Sequence, residues 1–132
     1  MLAKPISNSL TKACAATMLV AAISAVDIGT ARAAGDVVRG AVLYQRCQQC
    51  HSIQDNHAGP RHKGVFGRVA GTQPGYAYSD ALRKSGIVWN ENTLDKWLTN
   101  PPGFVRGVNM FFHLPNPKDR ADVIEFLKEK AK

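Results

Sequence analysis

The sequence has 132 residues, with 17 Lys and Arg against ten Asp and Glu, and its net charge is +7. Such a basic chain predicts contact with an acidic partner surface. Nucleic acid is excluded as that partner because the chain has no recognisable nucleic-acid recognition motif. The length of the chain is enough for one domain with a modest apolar core.

Residues 1–33 are predicted to be a cleavable secretory signal peptide, followed by a single domain at 34–132. Lys4 and Lys12 make the start basic, a mostly apolar stretch follows, and Ala31-Arg32-Ala33 places small residues where signal peptidase cuts. An uncleaved membrane anchor is the alternative, but the apolar run is shorter than the ~20 residues that cross a bilayer. We therefore expect a soluble protein that is exported to the periplasm.

The first helix of the mature chain is predicted to run from Asp36, as its N-cap, to about Cys47. Gly40, near its middle, would let another helix cross closely. Apolar residues recur at helical spacing and predict a buried stripe; they are Val37, Val38, Ala41, Val42 and Tyr44.

Cys47, Cys50 and His51 form a Cys-x-x-Cys-His run, the spacing of covalent c-type haem attachment. Each thiol can form a thioether to a haem vinyl group, and the adjacent imidazole can bind the iron. A zinc half-site and a thioredoxin-like redox pair are the alternatives. Zinc would need further soft ligands, but the only other cysteine, Cys14, lies in the predicted signal peptide, and no βαβ pattern supports a redox pair.

Glycine, proline, histidine and arginine are frequent from Ser52 to Gly75, which predicts a long loop. Ser79 is the expected N-cap of a short helix that Gly86 ends. Asn90 is the expected N-cap of the next helix, which Pro101-Pro102 stops. Its buried face is predicted to hold Leu94, Trp97 and Leu98.

A second loop is predicted from Phe104 to Pro117, and a last helix from near Lys118 almost to the C-terminus. No stretch alternates with period two for long enough to predict a sheet. The fold class is therefore all-α, with short helices and long loops wrapped around one covalent haem. The buried side of the last helix is expected to hold Val123, Ile124 and Leu127, with Phe126 beside it.

The second axial ligand of the iron is not settled by these patterns. Met110 is the only methionine outside the signal peptide, but a lone methionine among aromatic residues is ordinarily core filler. Three histidines compete with it. His57 and His62 have polar or charged neighbours typical of solvated loops, and His113 is only three residues from Met110.

Together, these motifs resemble those of the class I c-type cytochromes, especially the mitochondrial-like soluble cytochromes c of alphaproteobacteria. The likeness covers essentially the whole mature chain. The stretches that carry it are Cys47-Gln48-Gln49-Cys50-His51-Ser52, Gly59-Pro60, Gly64-Val65-Phe66-Gly67-Arg68, Pro74-Gly75-Tyr76-Ala77-Tyr78-Ser79-Asp80-Ala81, Gly86-Ile87-Val88-Trp89-Asn90, Asn109-Met110-Phe111-Phe112 and Arg120-Ala121-Asp122-Val123-Ile124.

The resemblance implies a role for several individual residues. Met110 matches the axial methionine, and Pro60 matches the proline whose carbonyl oxygen accepts a hydrogen bond from the axial histidine. Tyr78 and Trp89 match residues that bond the haem propionates, and Arg68 matches the basic residue that offsets their charge. Gly40 and Tyr44 match the residues of the first helix that contact the last helix in the family, and Ile124 and Phe126 lie opposite them.

Some positions depart from the family pattern. His62 stands where leucine usually lies against the haem, so either its neutral ring packs there or the loop is rearranged. Trp97 replaces a tyrosine that often hydrogen-bonds the axial sulfur, and an indole can donate but not accept. Leu82 and Val108 replace polar residues. The loop around Met110 lacks its usual proline and lysine.

The implied function is that of a soluble periplasmic electron carrier, not an enzyme, with His51 and Met110 as iron ligands. It would be a monomer that moves single electrons from a membrane cytochrome complex to a terminal oxidase or another redox acceptor, through peripheral and transient contacts. The basic residues that could steer this docking are Arg46, Arg61, Lys63, Arg83, Lys84 and Lys96.

Two other functions remain open. The first is an enzyme. Either loss of the Met110 bond would expose the iron to peroxide, or the chain would be the haem subunit of a sulfur- or nitrogen-oxide-metabolising enzyme. A sensor or scavenger of nitric oxide or carbon monoxide is the second. No distal acid–base pair that would favour a peroxidase is identifiable in the sequence.

Overall fold

The structure is a computed structural model that describes residues 34–132. The predicted signal peptide and Cys14 lie outside the described residues. In the described range no strand occurs, only an isolated antiparallel bridge between Val69 and Val88, which confirms the all-α class. No helix in that range is both long and apolar enough to cross a bilayer. The helices are α1 (Val37–Tyr44), α2 (Asp80–Arg83), α3 (Glu91–Thr99), α4 (Pro101–Phe104) and α5 (Pro117–Lys130), with a 3-10 turn at Cys47–Gln49.

Polar side chains cap the helices where local chemistry predicts them. The carboxylate of Asp36 accepts hydrogen bonds from the first backbone N–H groups of α1, and Ser79 does the same for α2. Asn90 and Thr93 form a reciprocal capping box at the start of α3. These three predicted caps are confirmed, and α5 begins one residue before the predicted Lys118, with Asn116 as its cap.

One helix boundary differs from the prediction, and one predicted stop is followed directly by a further helix. The first helix ends at Tyr44 instead of near Cys47, because the chain tightens into the 3-10 turn there. The predicted stop at Pro101 is confirmed for α3, which ends at Thr99, but the same proline also begins α4. Asn100 caps α4, and proline is well suited to the first helical position because it needs no N–H partner there.

The first and last helices pack against each other. A Cβ atom at Gly40 would collide with the backbone carbonyl of Asp122, so glycine permits the close crossing. Tyr44 is 1% exposed, and its ring centroid lies 4.9 Å from that of Phe126. The side chain of Asp122 is fully buried and accepts a hydrogen bond of 2.7 Å from the Asp36 N–H. It is also ion-paired with Arg39 and Lys118, and together these contacts dock the two helices.

The predicted apolar stripe of α1 is wrong in part. Val38 is 78% exposed and Val42 is 62% exposed. The face that meets α5 is instead the one that carries Gly40 and Tyr44. Spacing alone could not separate the two faces, because apolar residues occur on both.

Backbone hydrogen bonds organise the long loop between residues 52 and 75. The His62 N–H bonds to the Ser52 carbonyl at 2.9 Å, and the Gly59 N–H bonds to the Cys50 carbonyl at 2.7 Å. Further on, the Gly67 N–H bonds to the Trp89 carbonyl at 2.8 Å. The loop is therefore tied to the attachment motif at one end and to the segment before α3 at the other.

Candidate functional site

A cavity of about 330 Å³ lies between the 3-10 turn, the long loop, α3 and the segment around Met110. Every residue to which a haem-binding or iron-binding role is assigned above lines this one cavity. They are Cys47, Cys50, His51, Pro60, Arg68, Tyr78, Trp89, Trp97 and Met110.

The 3-10 turn presents the two cysteines and the histidine to the cavity. The N–H groups of Cys50 and His51 both bond to the Cys47 carbonyl, at 3.0 and 2.8 Å. Burial raises the pKa of the Cys47 thiol to about 11, whereas Cys50 is exposed. Cys47 and Cys50 form no disulfide, and among residues 34–132 no group of three or more His, Cys, Asp and Glu side chains could hold a metal ion of the zinc type.

Two neighbouring residues orient the His51 ring. Its Nδ1 lies 2.7 Å from the carbonyl oxygen of Pro60, so Nδ1 donates a hydrogen bond and Nε2 is left free to bind a metal. Gly59 packs so close to the ring that a Cβ atom there would collide with it. Burial lowers the pKa of His51, and the bond to Pro60 opposes that shift only in part, so the ring is neutral at pH 7, as a metal ligand must be.

His62 is packed against His51. The two ring centroids are 4.2 Å apart at an interplanar angle of 21°, and His62 Nδ1 lies 2.9 Å from the Tyr44 hydroxyl. Burial lowers the pKa of His62 to about 3, so its ring is neutral. The expectation of a solvated His62, drawn from its charged neighbours Arg61 and Lys63, is therefore wrong. Of the two possibilities left by the resemblance, the structure has the packed neutral ring.

Met110 and Trp97 meet inside the cavity. The indole Nε1–H of Trp97 donates a hydrogen bond of 3.2 Å to the Met110 sulfur, and Trp97 also packs edge-on against Trp89. The other two histidines considered as ligands, His57 and His113, are exposed and do not line the cavity. Met110 is thus the thioether that the fold directs toward the same space as His51.

Arg68 brings a positive charge to the wall of the cavity. Its guanidinium donates to the carbonyl oxygens of Lys63 at 2.7 Å and Arg61 at 3.1 Å, and to the side-chain oxygen of Gln73 at 2.7 Å. Tyr78 lines the cavity nearby, and burial raises the pKa of its hydroxyl, which therefore stays protonated. These groups can offset and hydrogen-bond an anionic ligand edge.

Some residues at the site were missed by the sequence analysis. Gln73 is only 4% exposed and holds Arg68 in place, although a glutamine in a loop rich in glycine and proline normally indicates solvent. The bond between Tyr44 and His62 has no sequence signal either, because it joins residues from two elements. The apolar wall completes the cavity; it includes Val65, Leu82, Leu94, Leu98, Val108, Phe112, Val123 and Leu127.

The residues of the cavity fit a covalently attached haem. Two thiols at the attachment spacing, an imidazole with its Nε2 free and a thioether supply the donors that such a group needs. Apolar walls suit the porphyrin, and Arg68 and Tyr78 suit its propionates. The lining residues Arg46, Cys50 and Phe111 are exposed, so the cavity reaches the surface on their side.

Comparison with known proteins finds sequences similar to this chain among the cytochromes c. The sequence model of the family described as Cytochrome c matches residues 37–130. A cytochrome c2 of Rhodomicrobium vannielii is 47% identical over 102 residues, which cover 74% of this chain and 82% of that one. A cytochrome c of Arabidopsis thaliana is 44% identical over 74% of this chain and 92% of that one. Cytochrome cH from Methylobacterium extorquens is similar in structure, with a TM-score of 0.71, 42% identity, and coverage of 73% of this chain and all of that one.

Proposed function

This chain belongs to the cytochrome c family and binds haem c covalently, and from that premise we propose that it is a periplasmic carrier of single electrons. The structural similarity also confirms the predicted cytochrome c fold. When bound, haem c supplies a one-electron exchange between ferric and ferrous iron. The observation that carries the proposal is that His51 and Met110 line one cavity together with both cysteines of the attachment motif.

The proposed ligands are held by partners that do not need to move. Pro60 fixes the donor side of the His51 ring, and Trp97 holds the Met110 sulfur through its N–H. Because each ligand already has a partner in the folded chain, little has to reorganise when the charge of the iron changes. A site closed by two protein ligands favours electron transfer over binding of external molecules.

Docking is proposed to occur where the cavity reaches the surface. Phe111 is 71% exposed there, next to Met110, and the guanidinium carbon of Arg46 lies 5.2 Å from the centroid of the Phe112 ring. An exposed aromatic ring with a nearby cation suits a transient contact with an acidic redox partner. We propose a membrane cytochrome complex as electron donor and a terminal oxidase or other redox protein as acceptor.

Export to the periplasm is part of the proposal. Its support is the basic start, apolar stretch and small residues at the proposed cleavage site of residues 1–33, and the bacterial origin of the cytochrome c2 and cytochrome cH relatives. N-terminal sequencing of the protein from the periplasmic fraction should give Ala34-Gly35-Asp36. Retention of the full chain in the cytoplasm or in the membrane would contradict this part.

Replacing Met110 with Ala tests the proposed ligand pair. The ferric wild-type protein should show the optical charge-transfer band of a methionine bound to iron, and its ferrous form should not bind carbon monoxide. Met110→Ala should lose the band and gain carbon monoxide binding, because one axial position opens. The measurement is an optical spectrum of each oxidation state.

The matched control is His113→Ala, three residues away. His113 is exposed, so its removal should leave the spectrum unchanged. Loss of the band in His113→Ala, or its persistence in Met110→Ala, would show that the ligand is misassigned. Ready carbon monoxide binding by the wild-type protein would contradict a carrier with two protein ligands.

A further inference from the structure

Tyr44 and His62 form a hydrogen-bonded pair beside His51. The Tyr44 hydroxyl lies 2.9 Å from His62 Nδ1, and the His62 ring stacks on the His51 ring with centroids 4.2 Å apart. A line of direct contacts therefore runs from α1 through His62 to the proposed iron ligand.

The other contacts of His51 leave one motion of its ring open. Pro60 holds Nδ1 through a single hydrogen bond, about which the ring can still tilt. The Gly59 backbone bounds the ring on one side, which leaves a tilt away from Gly59 open. A flat ring stacked at 21° to the imidazole does restrict it, and His62 supplies that ring.

His62 is held in turn by a rigid partner. A histidine ring can rotate about its own bonds unless one of its nitrogens is fixed, and here Nδ1 is fixed by the Tyr44 hydroxyl. Tyr44 is 1% exposed and packs on Phe126 of α5. The orientation of the His62 ring is therefore set by the packing of α1 on α5.

A purely space-filling role would not need this arrangement. An aliphatic side chain at position 62 would occupy the same space without a buried nitrogen that requires a partner. The chain instead carries a polar ring at position 62 and, on another element, a hydroxyl placed to bond it.

We propose that the Tyr44–His62 pair is a positioning unit that sets the orientation of the His51 ring and, through it, the electronic structure of the bound iron. The proposal rests on the proposed function, in which His51 is an iron ligand. It assigns His62 no role as a ligand itself. Both residues act through His51, and Tyr44 acts only through His62.

The test compares the holoprotein with Tyr44→Phe, His62→Leu and the double variant. Tyr44→Phe keeps the buried ring and removes only the hydroxyl, so it is the variant expected to fold most like the wild type. The readouts are the ferric electron paramagnetic resonance g values and the haem-methyl proton shifts, which report the orientation of an axial imidazole. We expect both single variants to shift these signals in the same sense, with the smaller shift in Tyr44→Phe. The double variant should match His62→Leu alone.

Leu114→Ala is the control for a structural role. Leu114 is 1% exposed and does not line the cavity, so its truncation should lower stability and leave the g values near those of the wild type. Unchanged signals in Tyr44→Phe, or shifts that add in the double variant, would overturn the proposal. A wild-type spectrum without a low-spin ferric signal and a methionine band would instead overturn the proposed function, so the two failures are distinguishable.

Discussion

Trp97 is the residue that acts most directly on the Met110 sulfur. Its N–H donates to that sulfur at 3.2 Å, and a donated hydrogen bond draws electron density away from the atom that receives it. A sulfur that gives less density stabilises ferric iron less. With Met110 as the proposed iron ligand, this bond would raise the midpoint potential.

Trp97→Phe should lower that potential. A neutral hydrogen bond contributes about 1 kcal/mol, and only part of this differs between the two oxidation states, so we expect a fall of at most about 40 mV. Potentiometric titration measures it. An unchanged or higher potential in Trp97→Phe would contradict the role of the Trp97 N–H.

At the residue scale, sequence-based prediction worked where chemistry is local. The attachment motif and the caps Asp36, Ser79 and Asn90 depend on neighbours within a few residues, and the structure places them as expected. His62 was misjudged because its burial comes from His51 and Tyr44, which its flanking charges do not reveal.

At the scale of elements, the crossing of α1 and α5 depends on the absence of a side chain at Gly40. A methyl group there meets the backbone carbonyl of Asp122, which cannot turn away without disturbing α5.

Gly40→Ala should therefore lower the free energy of unfolding by about 2–3 kcal/mol, the upper part of the range for overpacking, in spite of the better helix propensity of alanine. Chemical denaturation measures the change. Val38→Ala, on the exposed face of the same helix, should change stability by no more than about 0.5 kcal/mol. Equal effects in the two variants would show that the close approach is not what limits the crossing.

Asp122 makes the docking of these helices dependent on pH. Burial alone would raise the pKa of its carboxyl, but the Asp36 N–H, Arg39 and Lys118 outweigh burial and hold that pKa below its usual value. The unfolded chain therefore binds a proton at a higher pH than the folded one does. The stabilisation is complete above about pH 4 and is lost as the pH falls through the lowered pKa.

Asp122→Asn should remove this dependence. At pH 7 we expect a loss of about 2 kcal/mol, the order of a hydrogen bond to a charged group. The difference from the wild type should narrow as the pH is lowered below 4, which thermal or chemical denaturation across that range would reveal. If the difference in the free energy of unfolding between wild type and Asp122→Asn does not change with pH, the charge of Asp122 is not the source of the stabilisation.

Helix α4, which the sequence analysis missed, shows why a proline does not by itself fix where a helix ends. Proline ends a helix that it follows and begins one that it precedes, and Pro101 does both within three residues. Whether the second helix forms depends on the Asn100 side chain, which must accept the Gly103 N–H. Whether the backbone at Asn100 takes the direction that allows this bond depends on the tertiary fold, which the local sequence does not specify.

At the scale of the whole molecule, the excess of positive charge should raise the rate at which the protein associates with an anionic partner. Residues 34–132 carry a net charge of +5, since Lys4, Lys12, Arg32 and Asp27 fall outside them. Of the six basic residues expected to steer docking, Arg83 is paired with Asp80 and contributes less than its charge suggests. Arg46, at the opening of the cavity, is the cation placed to contribute most.

Electron transfer with an anionic reagent should slow as the ionic strength rises, because the Debye length shortens to about 8 Å at 0.15 M. Arg46→Gln should lower the rate at low salt about twofold, since a unit charge 10 Å away in water contributes roughly 0.4 kcal/mol. Stopped-flow kinetics measures both effects. Lys130→Gln carries the same charge change at the end of α5; if it slows the reaction as much as Arg46→Gln, the effect comes from total charge and not from position.

The bond from the Asp36 N–H to Asp122 joins residues 86 positions apart, and this separation orders events during folding. An eight-residue helix such as α1 is not stable alone, so we expect it to form in full only when α5 packs against it. The 3-10 turn that begins at Cys47 follows α1 after two residues. We therefore expect the attachment motif to reach its folded geometry only once the α1–α5 contact has formed.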